Sequence, residues 1–165
     1  MMPQKIASFF AVLLLTACGF HLRGQVPLPE SLKYVYVEGA SPILREQLRK
    51  TLQASSAKLL DSPDKAQVML KIVSESNGQG SLSLGVTGRT NEYELTYSIS
   101  YQLANAKDGE LKPQPPVLVR RQYYNNQQDI LAKSNEQLII ISEMNQLAAQ
   151  TLLNRLIAWA GHGAK

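Results

Sequence analysis

The sequence predicts a two-layer α/β sandwich: about four mainly antiparallel strands with two helices packed on one face, in the order β-α-β-β-β-α. Three observations carry this prediction. Residues 92–103 alternate apolar and polar side chains without a fault, the period-two signature of a strand with one buried face. An apolar stripe at spacings of three and four runs from Ile140 to Trp159, which marks a helix able to cover that sheet. Ser41-Pro42 precedes a second such stripe, and serine as cap with proline in the first helical position is a helix start.

Taken in order, residues 24–31 carry two prolines, which favour extended backbone and make the segment a tether. Residues 33–38, Lys-Tyr-Val-Tyr-Val-Glu, are β-branched and aromatic and close at Gly39, so they predict a short first strand. In the first helix Ile43, Leu44, Leu48 and Leu52 share a face, with Arg45, Glu46, Arg49 and Lys50 on the other. Residues 67–73 predict a second strand, with Val68, Leu70 and Ile72 inward. Residues 74–89 hold Gly78, Gly80, Gly85 and Gly88 among six Ser, Thr and Asn residues and are expected to be a flexible turn joining two strands. They match neither phosphate-binding glycine pattern, and no helical pattern follows them.

Residues 92–103 then predict a long strand with Tyr93, Leu95, Tyr97, Ile99, Tyr101 and Leu103 toward the core. Residues 105–116, with Asp108-Gly109 and three prolines, are a loop. Residues 117–124 resume β character as an antiparallel neighbour. The last helix is expected to start at a capping box, Ser134 with Gln137 three residues on, and to stop at Gly161 after about 25 residues at most. Its stripe is Ile140, Ile141, Met144, Leu147, Ala148, Leu152, Leu156 and Trp159.

The chain has 165 residues, 44% of them hydrophobic, and a formal charge of +4 spread along its length. That suits one domain with a real core and provides no concentrated field for steering toward nucleic acid. Cys18 is the only cysteine, so disulfide frameworks, CxxC redox motifs and multi-cysteine zinc sites are excluded. Fourteen glutamines and eight asparagines stand beside 17 basic and 13 acidic residues. Amides cost far less to bury than charges, so such a surface suits burial against a polar partner, and equally suits ordinary exposure.

The N-terminus has the three parts of a secretory signal: a head ending in Lys5, the apolar run of residues 6–15, and small residues before Cys18. The run is too short to span a bilayer as a helix. Leu15-Thr16-Ala17-Cys18 resembles the lipobox of bacterial lipoproteins. Residues 1–17 would then be a cleaved signal peptide and Cys18 a lipidated first residue. The alternative is a buried free cysteine behind a simple signal. The expected layout continues with residues 18–32 as lipidated N-terminus and tether, 33–160 as a single α/β domain and 161–165 as a short tail.

Catalytic chemistry finds little support. His21 lies close to Cys18 and His162 lies in a glycine-flanked tail, so neither is placed for a nucleophilic triad or a metal site. Glu92 and Glu94 share the outward face of the long strand, where solvated carboxylates are expected rather than an acid-base pair. No cofactor, metal or enzyme activity is expected.

Two stretches resemble a known family. Cys18-Gly-Phe-His-Leu-Arg23 is similar to the start of the LPS-assembly lipoprotein LptE family. Arg121-Gln-Tyr-Tyr-Asn-Asn126, followed by Leu131-Ala-Lys-Ser-Asn-Glu-Gln137, is similar to its strand-loop-helix junction, and Thr90-Asn-Glu-Tyr93 resembles its strand entry. The resemblance implies a lipoprotein without catalysis, anchored at the periplasmic face of the outer membrane; Gly19 after the cysteine, rather than Asp, agrees with that address. It implies a plug inside the LptD β-barrel that assists the barrel's assembly and binds lipopolysaccharide during its insertion into the outer leaflet. The lumen of such a barrel is polar, which suits the amide-rich composition. For phosphorylated sugars the candidates are Lys133, at the basic position of the family motif before the last helix, then Arg89 in the glycine-rich segment, then Arg120 and Arg121. The competing expectation is a lipid-anchored adaptor of another envelope complex without lipopolysaccharide affinity; an envelope hydrolase would need a catalytic pair that the sequence does not present.

Overall fold

Val35 and Val37 are buried on β1 (Tyr34–Glu38), between exposed Tyr34 and Glu38 and half-buried Tyr36, and this alternation seats the strand on the core. The computed structural model describes residues 28–84, 90–106, 108–124 and 130–162. Strand β1 lies between two parallel partners, β2 (Lys58–Leu60) and β3 (Val68–Leu84), with Val35 opposite both Leu59 and Val68. Strand β3 pairs antiparallel with β4 (Thr90–Asn105) from Val68 opposite Asn105 to Leu84 opposite Thr90. The outer edge of β4 is shared: Gln102 and Leu103 take β5 (Lys112–Pro113), while residues 92–99 take β6 (Val117–Tyr124). The result is a mixed six-stranded sheet.

Helix α1 (Pro42–Ala54) starts where its sequence predicts, with the Ser41 hydroxyl accepting the Leu44 N–H at 3.2 Å, and buries Leu44, Leu48 and Leu52. Helix α2 (Ile130–His162) buries Met144, Ala148, Ala149, Leu152, Leu153 and Leu156. Both join one core with the inward rows of β1, β3, β4 and β6. The two-layer architecture and the element order are as the sequence predicts. Leu32, in a short 3-10 turn ahead of β1, is also fully buried.

Three details differ. The expected turn of residues 74–89 is strand as far as Leu84. Ile72 faces Tyr101 but Ser74 faces Ser100, so Val73 is an extra residue, a β-bulge. A one-residue insertion flips every later side chain to the other face. The inward row therefore changes from Val68, Leu70 and Ile72 to Glu75, Asn77 and Gln79, opposite the inward residues Ile99, Tyr97 and Leu95. Beyond Lys71 no described strand lies on the other edge of β3.

The last helix starts at Ile130, not at Ser134, and runs 33 residues through Gly161 to His162, about 50 Å by helical rise. Ile130, Leu131, Ala132 and Lys133 precede Ser134; leucine, alanine and lysine among them are strong helix formers, so Ser134 is interior. The buried stripe also includes Ala149 and Leu153, while Leu147 is 40% exposed. Finally, β2 and β5 have only three and two residues, too few to show a period.

Candidate functional site

One end of the sheet gathers Glu92, Tyr93, Tyr123 and Tyr124, four of the residues singled out from the sequence. Glu92 near the start of β4 lies opposite Tyr124 at the end of β6, and the last residue of β3 lies opposite the first of β4. Helix α2 reaches the same region, since Gln137 Nε2 donates to Gln79 Oε1 at 3.4 Å.

The aromatic pair at the end of β6 splits across the sheet by strand alternation. Tyr123 is 4% exposed and stacks on Tyr93 with ring centroids 5.5 Å apart. Its hydroxyl accepts from Gln79 Nε2 at 3.3 Å. Desolvation first, then the neighbouring Tyr93 and Glu136, raises its pKa. Tyr124 is 72% exposed on the outer face and hydrogen-bonds the Glu92 carboxylate, which raises the Tyr124 pKa. Glu92 also accepts from Ser83 Oγ at 2.7 Å, and the two bonds, Ser83's the larger, hold its pKa below the ordinary carboxylate value. A depressed pKa keeps Glu92 anionic, the opposite of what a general acid needs.

Arg120 and Arg121 are exposed and face opposite sides of β6, as alternation predicts: Arg120 stands opposite Thr96 of the outer row, and Arg121 opposite Leu95 of the inner row. Arg121 Nη1 donates to the Arg120 carbonyl at 3.3 Å. Lys133 lies in the first turn of α2 rather than before the helix, because α2 begins at Ile130. Its backbone stands where unpaired N–H groups and the helix dipole favour an anion. Arg89 and Cys18 lie outside the described residues.

Sequence reasoning missed the inward polar row of β3. Asn77 and Gln79 face Gln137 and Asn145 of α2 around a cavity of about 250 Å³. Only the bulge at Val73 brings the first pair to that side, and no sequence spacing signals it. Glu75, nearer the bulge, accepts the backbone N–H and hydroxyl of Ser41 at 2.6 and 2.8 Å and the Tyr97 hydroxyl at 2.9 Å. Among the described residues no group of three or more His, Cys, Asp and Glu is placed to hold a metal ion. No described helix is long and apolar enough to cross a membrane.

This is the fold of a class of small bacterial lipoproteins. A lipoprotein B of Nitrosomonas europaea superimposes with a TM-score of 0.74 at 28% identity, covering 88% of this chain and 94% of that one. The rare lipoprotein B of Shewanella oneidensis shares the fold with a TM-score of 0.69 at 24% identity over 80% of this chain and 99% of that one. The family model described as LptE, lipopolysaccharide-assembly, matches residues 31–156. The LPS-assembly lipoprotein LptE of Pectobacterium atrosepticum is 31% identical over 92% of this chain and 83% of its own length, and that of Photorhabdus laumondii is 30% identical over 89% and 81%. The chain belongs to the LptE lipopolysaccharide-assembly family.

Proposed function

We propose that this protein is an outer-membrane lipoprotein that plugs the LptD β-barrel, assists its assembly and binds lipopolysaccharide on its way to the outer leaflet. The observation that carries the reading is the family match across residues 31–156, nearly the whole folded domain. Residues 1–17 are its cleaved signal, Cys18 its lipid-bearing first residue and residues 18–32 its tether, whose last residue, Leu32, already joins the core; the domain follows from residue 33, and its last helix carries on through Gly161 and His162 into the tail of residues 161–165. Multiple acyl chains on Cys18 anchor it stably, since a single chain binds only marginally, and they hold it at the periplasmic face.

The outer face of the sheet supports the plug. Ser74, Ser76 and Gly78 of β3 stand opposite Ser100, Ser98 and Thr96 of β4, a polar strip without charge. Interface centres are depleted in charge, and a barrel lumen is polar. For lipopolysaccharide phosphates the candidate cations are Lys133, Arg89, Arg120 and Arg121. The role is non-catalytic.

The test is extraction of the native lipidated protein in mild detergent and identification of what co-purifies in stoichiometric amount. A large β-barrel protein at one to one supports the plug. Recovery alone, or with a periplasmic protein, overturns it in favour of an adaptor. Lys133→Glu is expected to weaken lipopolysaccharide binding with an unchanged circular dichroism spectrum and melting temperature. Unchanged affinity at several salt concentrations removes Lys133 from the site.

A further inference from the structure

The cavity between the β3–β4 hairpin and α2 has a defined chemistry. Asn77, Gln79, Gln137 and Asn145 supply carboxamides around it, and Leu95 and Met144 are among its apolar lining. Its volume, about 250 Å³, falls just below the roughly 300–1,000 Å³ of sites for drug-sized ligands. It suits a single ring rather than an extended molecule.

The lining excludes three ligand classes. No Lys or Arg lines it, so it offers a phosphate no counter-charge; no Asp or Glu lines it, so it offers a metal cation none either. An acyl chain would strip water from four carboxamides and return no hydrogen bonds, a cost for each group left unpaired. A neutral polyhydroxylated ring meets the lining on both counts. Its hydroxyls both donate and accept, as amides do, and its C–H faces rest on apolar side chains.

The amide bonding fits a site open to exchange. Asn145 Nδ2 is committed to the Ile141 carbonyl at 2.8 Å, leaving its Oδ1 as an acceptor. Gln79 is oriented by Tyr123 at 3.3 Å, and its bond with Gln137 is long, 3.4 Å, so a ligand hydroxyl can replace it at small cost. The Tyr97 hydroxyl at the cavity wall is occupied by Glu75 at 2.9 Å, which keeps that carboxylate turned to its own partners.

We propose that this cavity binds one neutral sugar ring of the lipopolysaccharide saccharide, separately from the cations that meet its phosphates. The inference rests on the lipopolysaccharide reading above. It makes recognition two-part: charge for lipid A phosphates, amides for a sugar beyond them.

The test uses the full lipidated, isotope-labelled protein in detergent micelles, titrated with dephosphorylated core oligosaccharide released from lipopolysaccharide by mild acid, and separately with intact lipopolysaccharide. The oligosaccharide is expected to move the side-chain amide resonances of Asn77, Gln79, Gln137 and Asn145. Gln137→Ala, which removes a part-exposed amide at the mouth, is expected to weaken oligosaccharide binding about tenfold with an unchanged melting temperature. Asn77→Ala, on the strand side, serves as the second variant with the same expectation. Binding of intact lipopolysaccharide without any response to the oligosaccharide overturns the sugar site and leaves the lipopolysaccharide reading standing. So does oligosaccharide binding that neither variant weakens. Failure of both ligands to bind overturns both.

Discussion

The Tyr97 hydroxyl donates to Glu75 Oε2 at 2.9 Å, and the same carboxylate takes the backbone N–H and hydroxyl of Ser41 at 2.6 and 2.8 Å. One side chain thereby ties β3 to β4 and to the cap of α1. Glu75→Ala leaves a buried tyrosine hydroxyl and a helix cap without their acceptor. It is expected to cost about 2–3 kcal/mol, the range for a hydrogen bond to a charged group plus the partner left unpaired. A urea-unfolding cycle with Tyr97→Phe is expected to be less than additive, because the two changes break the same bond.

The same pair sets a limit at high pH. Desolvation first, then the Glu75 hydrogen bond and the Glu75 charge, raises the Tyr97 pKa well above the ordinary tyrosine value. A raised folded-state pKa gives stability that is complete below the unfolded value, about 10, and is lost as pH rises through the folded one. Urea midpoints measured from pH 9 to 11 are expected to fall above pH 10, and to fall less steeply in Tyr97→Phe. Tyr123 and Tyr124, also raised, leave a residual slope in that variant.

Gly39 sits at φ +77°, and a Cβ there would stand 2.5 Å from the Ile72 carbonyl oxygen. Gly39→Ala is expected to destabilise by roughly 2–4 kcal/mol, combining the left-handed backbone penalty with a backbone collision. Gly80 has nothing within 4 Å of its added Cβ, so Gly80→Ala is the matched control, expected within about 1 kcal/mol of wild type. Thermal melts of the two distinguish them.

Arg155 holds the long loop against α2. Its Nη1 donates to the carbonyls of Pro115 and, at 3.1 Å, of Pro116, and reaches the Tyr101 hydroxyl at 3.5 Å. Arg155→Ala is expected to cost about 1–3 kcal/mol and to speed limited proteolysis within residues 106–116. Equal cleavage rates in variant and wild type would show that the loop is held by other contacts.

Much of the fold is legible in the residues because local pattern and burial agree there. Strand β4 follows its alternation because one face meets both the core and α2 while the other meets solvent. Ser41 caps α1 because both its hydroxyl and the following proline suit that position. The run from Ser74 to Leu84 was hidden for a physical reason: a bulge inverts its faces, and its inward positions are Glu75, Asn77 and Gln79, polar residues that hydrophobic patterning assigns to loops. Ser134 misled because a capping motif also fits inside a helix when strong formers precede it. Of the candidate site, the opposed directions of Arg120 and Arg121 follow from strand period alone. The amide cavity does not, since its two halves come from residues 77–79 and 137–145 and meet only through tertiary packing.

From Ile72 onward β3 has β4 on one side and no described strand on the other. An open edge of that length is a template for another chain, the usual seed of ordered aggregates. Here the centre of the edge, residues 74–81, reads Ser-Glu-Ser-Asn-Gly-Gln-Gly-Ser, with a charge, two glycines and no apolar residue for a second copy to zip against; the exposed apolar side chains, Val73 and Leu82, stand only at its two ends. The bulge at Val73 adds local twist where the edge begins. The composition that disguises this segment as a turn thus also guards the free chain against polymerising along this edge.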